Sequence, residues 1–109
     1  MTRWTEICPL DRLEVDRGAA ALVAGDQVAL FRLHSGEIYA TANRDPSSGA
    51  QVMSRGLLGD RAGEDKVASP ITKKTWSLRD GRSLDGDGPT LAVYPVRVEA
   101  GAVWVGSHA

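Results

Sequence analysis

The sequence predicts an all-β fold made of short antiparallel strands and hairpins. Glycine occurs 12 times and proline 5 times in the 109 residues, and both are spread along the chain as turn residues between short strands would be. Apolar residues follow a period of two in several segments, whereas helical periodicity is weak. A chain of this length is expected to form a single domain, covering residues 1–109.

Three apolar segments in the first half predict a meander of antiparallel strands. They cover residues 19–24, 28–33 and 37–42. Turns that contain glycine separate them, as tight connections between neighbouring strands require. Upstream of the meander, residues 9–13 are expected to form a short helical turn.

The middle of the chain has a different composition. Residues 43–66 contain Pro46, several glycines and many charged side chains, which predicts a long loop region. A loop of this length inside a compact domain is usually functional or mobile. At most one helical turn is expected within residues 51–58, because glycines limit its length.

Strand patterns return in the last third of the sequence. Residues 76–84 predict a hairpin with Asp80-Gly81 at its tip. Residues 91–98 alternate in polarity, and a glycine turn then leads into residues 103–105. The three tryptophans are expected to pack in the core or between sheets.

Charge and hydropathy exclude several classes of protein. Lys and Arg total 13 against 14 Asp and Glu, which gives a net charge of −1. Neither nucleic acid nor an anionic membrane surface is therefore expected as a partner. No apolar run approaches the ~20 residues of a membrane helix. The first 14 residues carry three acidic side chains and do not resemble a signal peptide, so we expect a cytoplasmic protein.

The chain has few residues suited to metal binding or nucleophilic catalysis. It contains one cysteine, Cys8, and two histidines, His34 and His108. Cys and His alone therefore cannot supply the four ligands of a zinc site or an iron–sulfur cluster. We expect Cys8 to be a small buried hydrophobe and His34 to be an exposed turn residue. No phosphate-binding or hydrolase motif is present, and no catalytic residue is expected.

Two segments, 39–46 and 67–82, resemble the ligand loops of Rieske-type ferredoxin domains. Aligned on those loops, the four ligand positions fall at Asn43, Asp45, Ser69 and Thr72. A Rieske centre takes two Cys and two His, and none of these four residues is either. The resemblance implies a Rieske-like antiparallel β-sandwich, of the kind found in Rieske iron–sulfur proteins, that binds no metal or other cofactor.

A longer series of matches extends over nearly the whole chain. The matching motifs are Trp4-Thr5-x-Ile7-Cys8-Pro9-Leu10, Val28-Ala29-Leu30-Phe31-Arg32, Asn43-Arg44-Asp45-Pro46, Ser48-Gly49-Ala50, Ser54-Arg55-Gly56, Ala68-Ser69-Pro70, Lys73, Leu78-x-x-Gly81, Leu84-Asp85 and Val93-Tyr94-Pro95-Val96-Arg97-Val98. In this order and spacing they resemble the small subunit of assimilatory NAD(P)H-dependent nitrite reductase. The chain departs from that family's usual pattern at Thr72 and Trp76.

The resemblance implies a non-catalytic subunit of a cytoplasmic oxidoreductase. Its partner would be a large subunit that carries FAD, an iron–sulfur cluster and sirohaem and that reduces nitrite to ammonia. A free-standing Rieske-like module that binds another reductase or oxygenase is the alternative. An electron-carrying ferredoxin is a third reading, which the missing ligands oppose.

We expect residues 43–49 and 69–76, within and beside the two ligand-like loops, to form the docking surface for the large subunit. Arg44, Asp45, Arg55 and Lys73 are the candidate contact residues, because polar side chains on a turn fixed by proline bind at little entropic cost and arginine is enriched among binding hot spots. The alternative for Asn43 and Asp45 is that each satisfies the backbone of its own loop, as Asx turns do.

Overall fold

The structure, a computed structural model, describes residues 2–108 and confirms the all-β prediction. Within that range there are ten strands and two short 3-10 turns. The strands are β1 (Thr2–Pro9), β2 (Arg17–Val23), β3 (Asp26–Arg32), β4 (Ile38–Ala42), β5 (Leu57–Arg61), β6 (Glu64–Ala68), β7 (Thr75–Ser77), β8 (Val93–Tyr94), β9 (Val96–Glu99) and β10 (Ala102–His108). The first 3-10 turn is Leu10–Arg12 and the second is Met53–Arg55. None of the helices in residues 2–108 has the length and apolarity needed to cross a membrane.

The strands form three antiparallel sheets. Their orders are β1-β10-β9, β2-β3-β4-β8 and β5-β6-β7. The predicted meander corresponds to β2, β3 and β4, which pair as consecutive neighbours. The first 3-10 turn lies where a short helical turn was expected.

The prediction of a loop extending to residue 66 was wrong, because β5 and β6 form a hairpin inside that range. Their register runs from Leu57 opposite Ala68 to Arg61 opposite Glu64. The connecting residues, Ala62 and Gly63, both have positive φ, the geometry of a tight hairpin turn. Strand β5, with the sequence LLGDR, is mostly exposed and shows no apolar alternation, so its pairing with β6 and the turn geometry define it.

Two strand predictions in the last third of the chain are only partly confirmed, whereas the hairpin of β9 and β10 forms as predicted. Pro95, which lacks a backbone N–H, lies between β8 and β9 and divides the expected strand over residues 91–98. The expected hairpin over 76–84 is reduced to a single bridge between Trp76 and Ser83, since β7 takes its main pairing from β6. Gly81 occupies the turn with φ +80°.

Strand β3 is the centre of the core. Ala29 and Phe31 face one hydrophobic cluster, and Val28 and Leu30 face the other. Because successive side chains of a strand point to opposite faces, both faces of β3 are buried. The first cluster consists of Ala29, Phe31, Leu33, Met53, Val67, Trp76, Leu78 and Leu91. The second consists of Leu13, Val23, Val28, Leu30, Ala40, Val103 and Val105.

Three side chains singled out in the sequence have different surroundings. Trp76 is fully buried in the first cluster, as expected. Cys8 is half-buried against the second cluster, and burial raises the pKa of its thiol. The guanidinium of Arg97 on β9 lies 4.3 Å from the ring centroid of Trp4 on β1, which is a cation–π contact within the β1-β10-β9 sheet.

The second 3-10 turn packs directly on β2 at Gly18. A Cβ atom at Gly18 would lie 2.2 Å from the backbone oxygen of Ser54 and 2.8 Å from the Phe31 ring. A backbone oxygen cannot rotate away as a flexible side chain can. This close approach fixes the position of the second 3-10 turn against the sheet.

We therefore expect Gly18→Ala to destabilise the protein by about 3 kcal/mol, because the added methyl overpacks a rigid contact. Gly59→Ala is the matched control, since its Cβ would meet only the end of the Lys66 side chain at 3.4 Å. Urea unfolding of both variants measures the difference. Equal stability of the two variants would contradict the close approach.

Candidate functional site

Two loops meet at one end of two different sheets. The first follows β4 and the second joins β6 to β7. We call the surface formed by residues 43–50 and 69–74 the tip. The tip contains all four positions that the resemblance aligned with cluster ligands, and the structure brings three of them, Asp45, Ser69 and Thr72, into direct contact.

The side chain of Asp45 joins the two loops. Its Oδ2 atom accepts hydrogen bonds from Ser69 Oγ at 2.5 Å and Thr72 Oγ1 at 3.0 Å. Its Oδ1 atom accepts the backbone N–H groups of Ser47 at 2.8 Å and Ser48 at 3.3 Å. We call Asp45, Ser69 and Thr72 the carboxylate clamp. Asp45 is fully buried, so its charge depends on these four donors instead of water.

The hydrogen bonds determine the ionisation of Asp45. Burial raises the pKa of its carboxyl group, but the bonds from Ser69, Ser47, Thr72 and Ser48 together lower the pKa below its usual value. Asp45 is therefore ionised at neutral pH. An anion with four satisfied acceptor positions is stable in this buried setting.

Asn43 has a separate structural role. Its Oδ1 atom accepts the backbone N–H of Ser54 at 2.7 Å, and its Nδ2 atom donates to Gln51 O at 3.3 Å and Gln27 Oε1 at 3.1 Å. Asn43 therefore fixes the end of β4 to the second 3-10 turn and to β3. It lies near the clamp in sequence but makes none of its hydrogen bonds.

Both tip loops have the same backbone design. In the first loop, the N–H of Asp45 donates to Ala50 O and that of Gly49 donates to Asp45 O, both at 2.8 Å. In the second loop, the N–H of Ser69 donates to Lys74 O at 2.9 Å and that of Lys73 donates to Ser69 O at 3.0 Å. Each loop is thus a closed six-residue turn.

Side chains complete the two turns in parallel ways. Ser69 Oγ accepts the N–H groups of Ile71 and Thr72, just as Asp45 Oδ1 accepts those of the residues two and three positions later. Proline follows the first residue in both turns, and the fifth residue has positive φ, at Gly49 (81°) and Lys73 (65°). In the sequence, the signal for these two turns is an Asp or Ser followed by Pro, at Asp45-Pro46 and Ser69-Pro70.

The structure revises one candidate contact residue. Asp45 is buried and fully hydrogen-bonded, so it supports the tip from inside and does not offer its side chain to a partner. Arg44 and Lys73 are exposed on the tip. The Arg44 guanidinium lies across Gly49, where an added Cβ would approach it to 3.3 Å.

Arg55 lies at the base of the tip and not on its loops. It is exposed at the end of the second 3-10 turn and lines an open cleft of about 800 Å³. His34 also lines this cleft and is exposed as expected, and its Nδ1 atom lies 3.1 Å from Asp16 Oδ1. The hydrogen bonds from His34 lower the pKa of Asp16.

The donor atoms at the tip do not fit an iron–sulfur cluster. The four aligned positions supply one carboxamide, one carboxylate and two hydroxyls, whereas a Rieske centre needs thiolates and imidazoles. The carboxylate already accepts four hydrogen bonds. Among residues 2–108, no group of three or more His, Cys, Asp and Glu is arranged to hold a metal ion.

Comparison with known proteins identifies relatives of this fold and tip. The family model for the Rieske-like [2Fe-2S] domain matches residues 3–106. The nitrite reductase (NADH) small subunit of Salmonella typhimurium is 39% identical over 104 residues, which are 94% of this chain and 96% of that protein. A solved structure described as the NADH-dependent nitrite reductase small subunit of Mycobacterium tuberculosis has a TM-score of 0.96 at 46% identity, covering 100% of this chain and 98% of that one.

A further relative is much longer than this chain. The nitrite reductase [NAD(P)H] large subunit of Klebsiella oxytoca contains a stretch that is 46% identical over 105 residues. The match covers 96% of this chain but only 11% of that large subunit.

The carboxylate clamp predicts a large effect of substitutions at Asp45. Asp45→Ala leaves four donors, among them the buried Ser69 hydroxyl, without their acceptor and should lower the free energy of unfolding by about 3–5 kcal/mol. Ser69→Ala, which removes one donor, should cost about 1–3 kcal/mol. Ser47→Ala is the control, since its side chain is exposed and only its backbone N–H bonds to Asp45. Urea unfolding measures these losses. If Ser47→Ala lowered the free energy of unfolding as much as Asp45→Ala does, the clamp would be contradicted.

The clamp also predicts a pH dependence. Because the folded-state pKa of Asp45 is lowered, its stabilisation is complete above the ordinary carboxyl pKa of about 3.9 and is lost as the pH falls through the folded-state value. The stability difference between the protein and Asp45→Asn should therefore be constant from about pH 7 to pH 5 and shrink below about pH 4. Urea unfolding across this range measures it, and a difference that stays constant down to about pH 2 would refute the assignment.

Proposed function

The chain belongs to the Rieske-like [2Fe-2S] domain family and, within it, to the nitrite reductase (NADH) small subunits, and we propose that it acts as the non-catalytic small subunit of a cytoplasmic nitrite reductase. In this role it docks on a large subunit that carries FAD, an iron–sulfur cluster and sirohaem and that reduces nitrite to ammonia. This chain supplies a shaped surface and no cofactor.

The match to a large subunit is the observation that carries the docking proposal. In Klebsiella oxytoca a stretch equivalent to nearly all of this chain is part of the large-subunit polypeptide itself. Covalent connection holds two folded units at a high effective concentration. A separate chain with the same fold must achieve the same proximity through a binding surface.

The chemistry of the tip favours a binding role over electron transfer. Electron transfer through a Rieske-like domain needs a cluster at the tip, and the donor atoms of the carboxylate clamp do not match one. The clamp holds both loops in place by hydrogen bonds, so the tip keeps a defined shape. A surface that is already ordered loses little conformational entropy on binding.

Three exposed cations are the proposed contact residues. Arg44 and Lys73 lie on the tip loops, and Arg55 lies at their base beside the open cleft. Arginine is suited to this role because its planar guanidinium makes several directional hydrogen bonds. Asp45 contributes indirectly, by holding the loop that presents Arg44.

Co-purification with the large subunit from the same organism tests the proposal. The unaltered chain should co-purify with a tagged large subunit, and the double variant Arg44→Ala, Arg55→Ala should reduce recovery by about tenfold or more at moderate salt. Arg3→Ala, on β1 of another sheet, is the matched control and should leave recovery unchanged.

The outcomes separate the two parts of the proposal. Failure of the unaltered chain to associate with the large subunit would overturn the small-subunit role. Association that is undiminished in the double variant would leave that role in place and exclude these two arginines as contacts.

A further inference from the structure

The exposed charges of the tip loops all have the same sign. Residues 43–50 and 69–74 contain one carboxylate, Asp45, and it is buried in the clamp. Their cationic residues, Arg44, Lys73 and Lys74, are all exposed. The chain as a whole has a net charge of −1. The tip is therefore a local cationic surface on a nearly neutral protein.

Asp45 does not neutralise these cations by pairing with them. Its oxygens take hydrogen bonds from two hydroxyls and two backbone N–H groups. The ammonium group of Lys73 donates to the carbonyl oxygen of Pro70 at 3.0 Å, which holds this cation close to the second loop without cancelling its charge. The nearby Asp85 accepts from the backbone and hydroxyl of Thr75.

Ile71 lies on the second tip loop, two residues before Lys73. Its side chain is 55% exposed, and residues 43–50 and 69–74 contain no other large apolar side chain. Its backbone N–H bonds to Ser69 Oγ, and the hydrogen bonds that close the six-residue turn bracket it on both sides. Lys73 and Lys74 follow Ile71 in the same turn. Arg44 precedes Asp45, which accepts a hydrogen bond from Thr72, the residue after Ile71.

We propose that Ile71 is the apolar anchor of the docking surface and enters an apolar socket on the large subunit, while Arg44, Lys73 and Lys74 pair with an acidic rim around that socket. This inference rests on the proposed function and specifies the chemistry of the partner's face. An apolar centre surrounded by polar contacts that exclude water is the usual arrangement of a binding hot spot.

The two most exposed large apolar side chains lie outside the tip loops. Leu22 is 70% exposed and Leu57 is 68% exposed, and they lie on the edge strands β2 and β5. Leu22 follows three alanines on β2 and pairs opposite the uncharged Gln27. This makes Leu22 a matched control for Ile71, with similar size and greater exposure.

Affinity measurements with the purified large subunit test the anchor. Ile71→Asp should weaken binding by about a hundredfold or more, because it brings a charge into the apolar socket. Ile71→Ala should weaken binding by about tenfold, because it leaves the socket partly unfilled. Leu22→Asp and Leu22→Ala should leave affinity unchanged. Circular dichroism and urea unfolding check that each variant is folded.

Salt dependence tests the acidic rim. Affinity of the unaltered chain should fall as ionic strength rises, since exposed ion pairs are screened. Arg44→Gln, Lys73→Asn and Lys74→Gln together should weaken binding at low salt and flatten this dependence. Asn is chosen at position 73 because it tolerates the positive φ found there.

The outcomes separate this inference from the function on which it depends. If the unaltered chain does not bind the large subunit, the proposed function itself fails. If the unaltered chain binds and both Ile71 variants bind as tightly as it does, the anchor is refuted and the small-subunit role stands. If affinity is independent of salt, or if the triple variant keeps its full salt dependence, the acidic rim is refuted.

Discussion

A single buried carboxylate holds together the end of the molecule where the two tip loops meet. Asp45 follows β4 of one sheet, and its Oδ2 atom bonds to Ser69 and Thr72, which follow β6 of another. In a cluster-binding Rieske domain, metal ligands from two loops meet at the cluster. Here hydrogen bonds cross-link the loops, and the side chains that meet are a carboxylate and two hydroxyls, which are not the ligands of a Rieske centre. The proposed docking surface depends on this cross-link.

Two hydrogen bonds accepted by Asp45 are enough to join the loops, because each loop is already closed by its own backbone hydrogen bonds. Asp45 and Ser69 each begin a six-residue turn in which the first residue bonds to the fifth and the sixth. A third turn of the same kind begins at Ser77, whose N–H donates to Arg82 O and whose carbonyl accepts the N–H of Gly81. This third turn lacks the proline of the other two, so the closing hydrogen bonds define the motif more than proline does. Two preformed turns need only a few bonds between them to fix their relative position.

Sequence reasoning predicted the parts of the fold that carry apolar or turn signals. The meander of β2 to β4 was predicted because apolar segments alternate with glycine turns, and the clustering of Asp45, Ser69 and Thr72 followed from the resemblance. The hairpin of β5 and β6 was missed because β5 is mostly exposed and lacks apolar alternation, and because its turn begins with Ala62 at positive φ, an uncommon residue for that position. The inward direction of Asp45 could not be predicted either, since an Asp before a proline gives the same pattern whether it bonds its own turn or a second loop. Only the arrangement of the two loops in space decides this.

The choice of an acid at position 45 has consequences outside the clamp. A carboxylate can accept all four hydrogen bonds, whereas an asparagine side chain there has a single oxygen and would leave either the two N–H groups or the two hydroxyls without their acceptor. Because these donors are uncharged, they satisfy the anion without using an arginine or a lysine. Had Arg44 or Lys73 turned inward to pair with Asp45, the outer surface would have lost a cation and the clamp would have gained a long, flexible side chain. The same residue thus orders the loops and leaves their positive charges free for a partner.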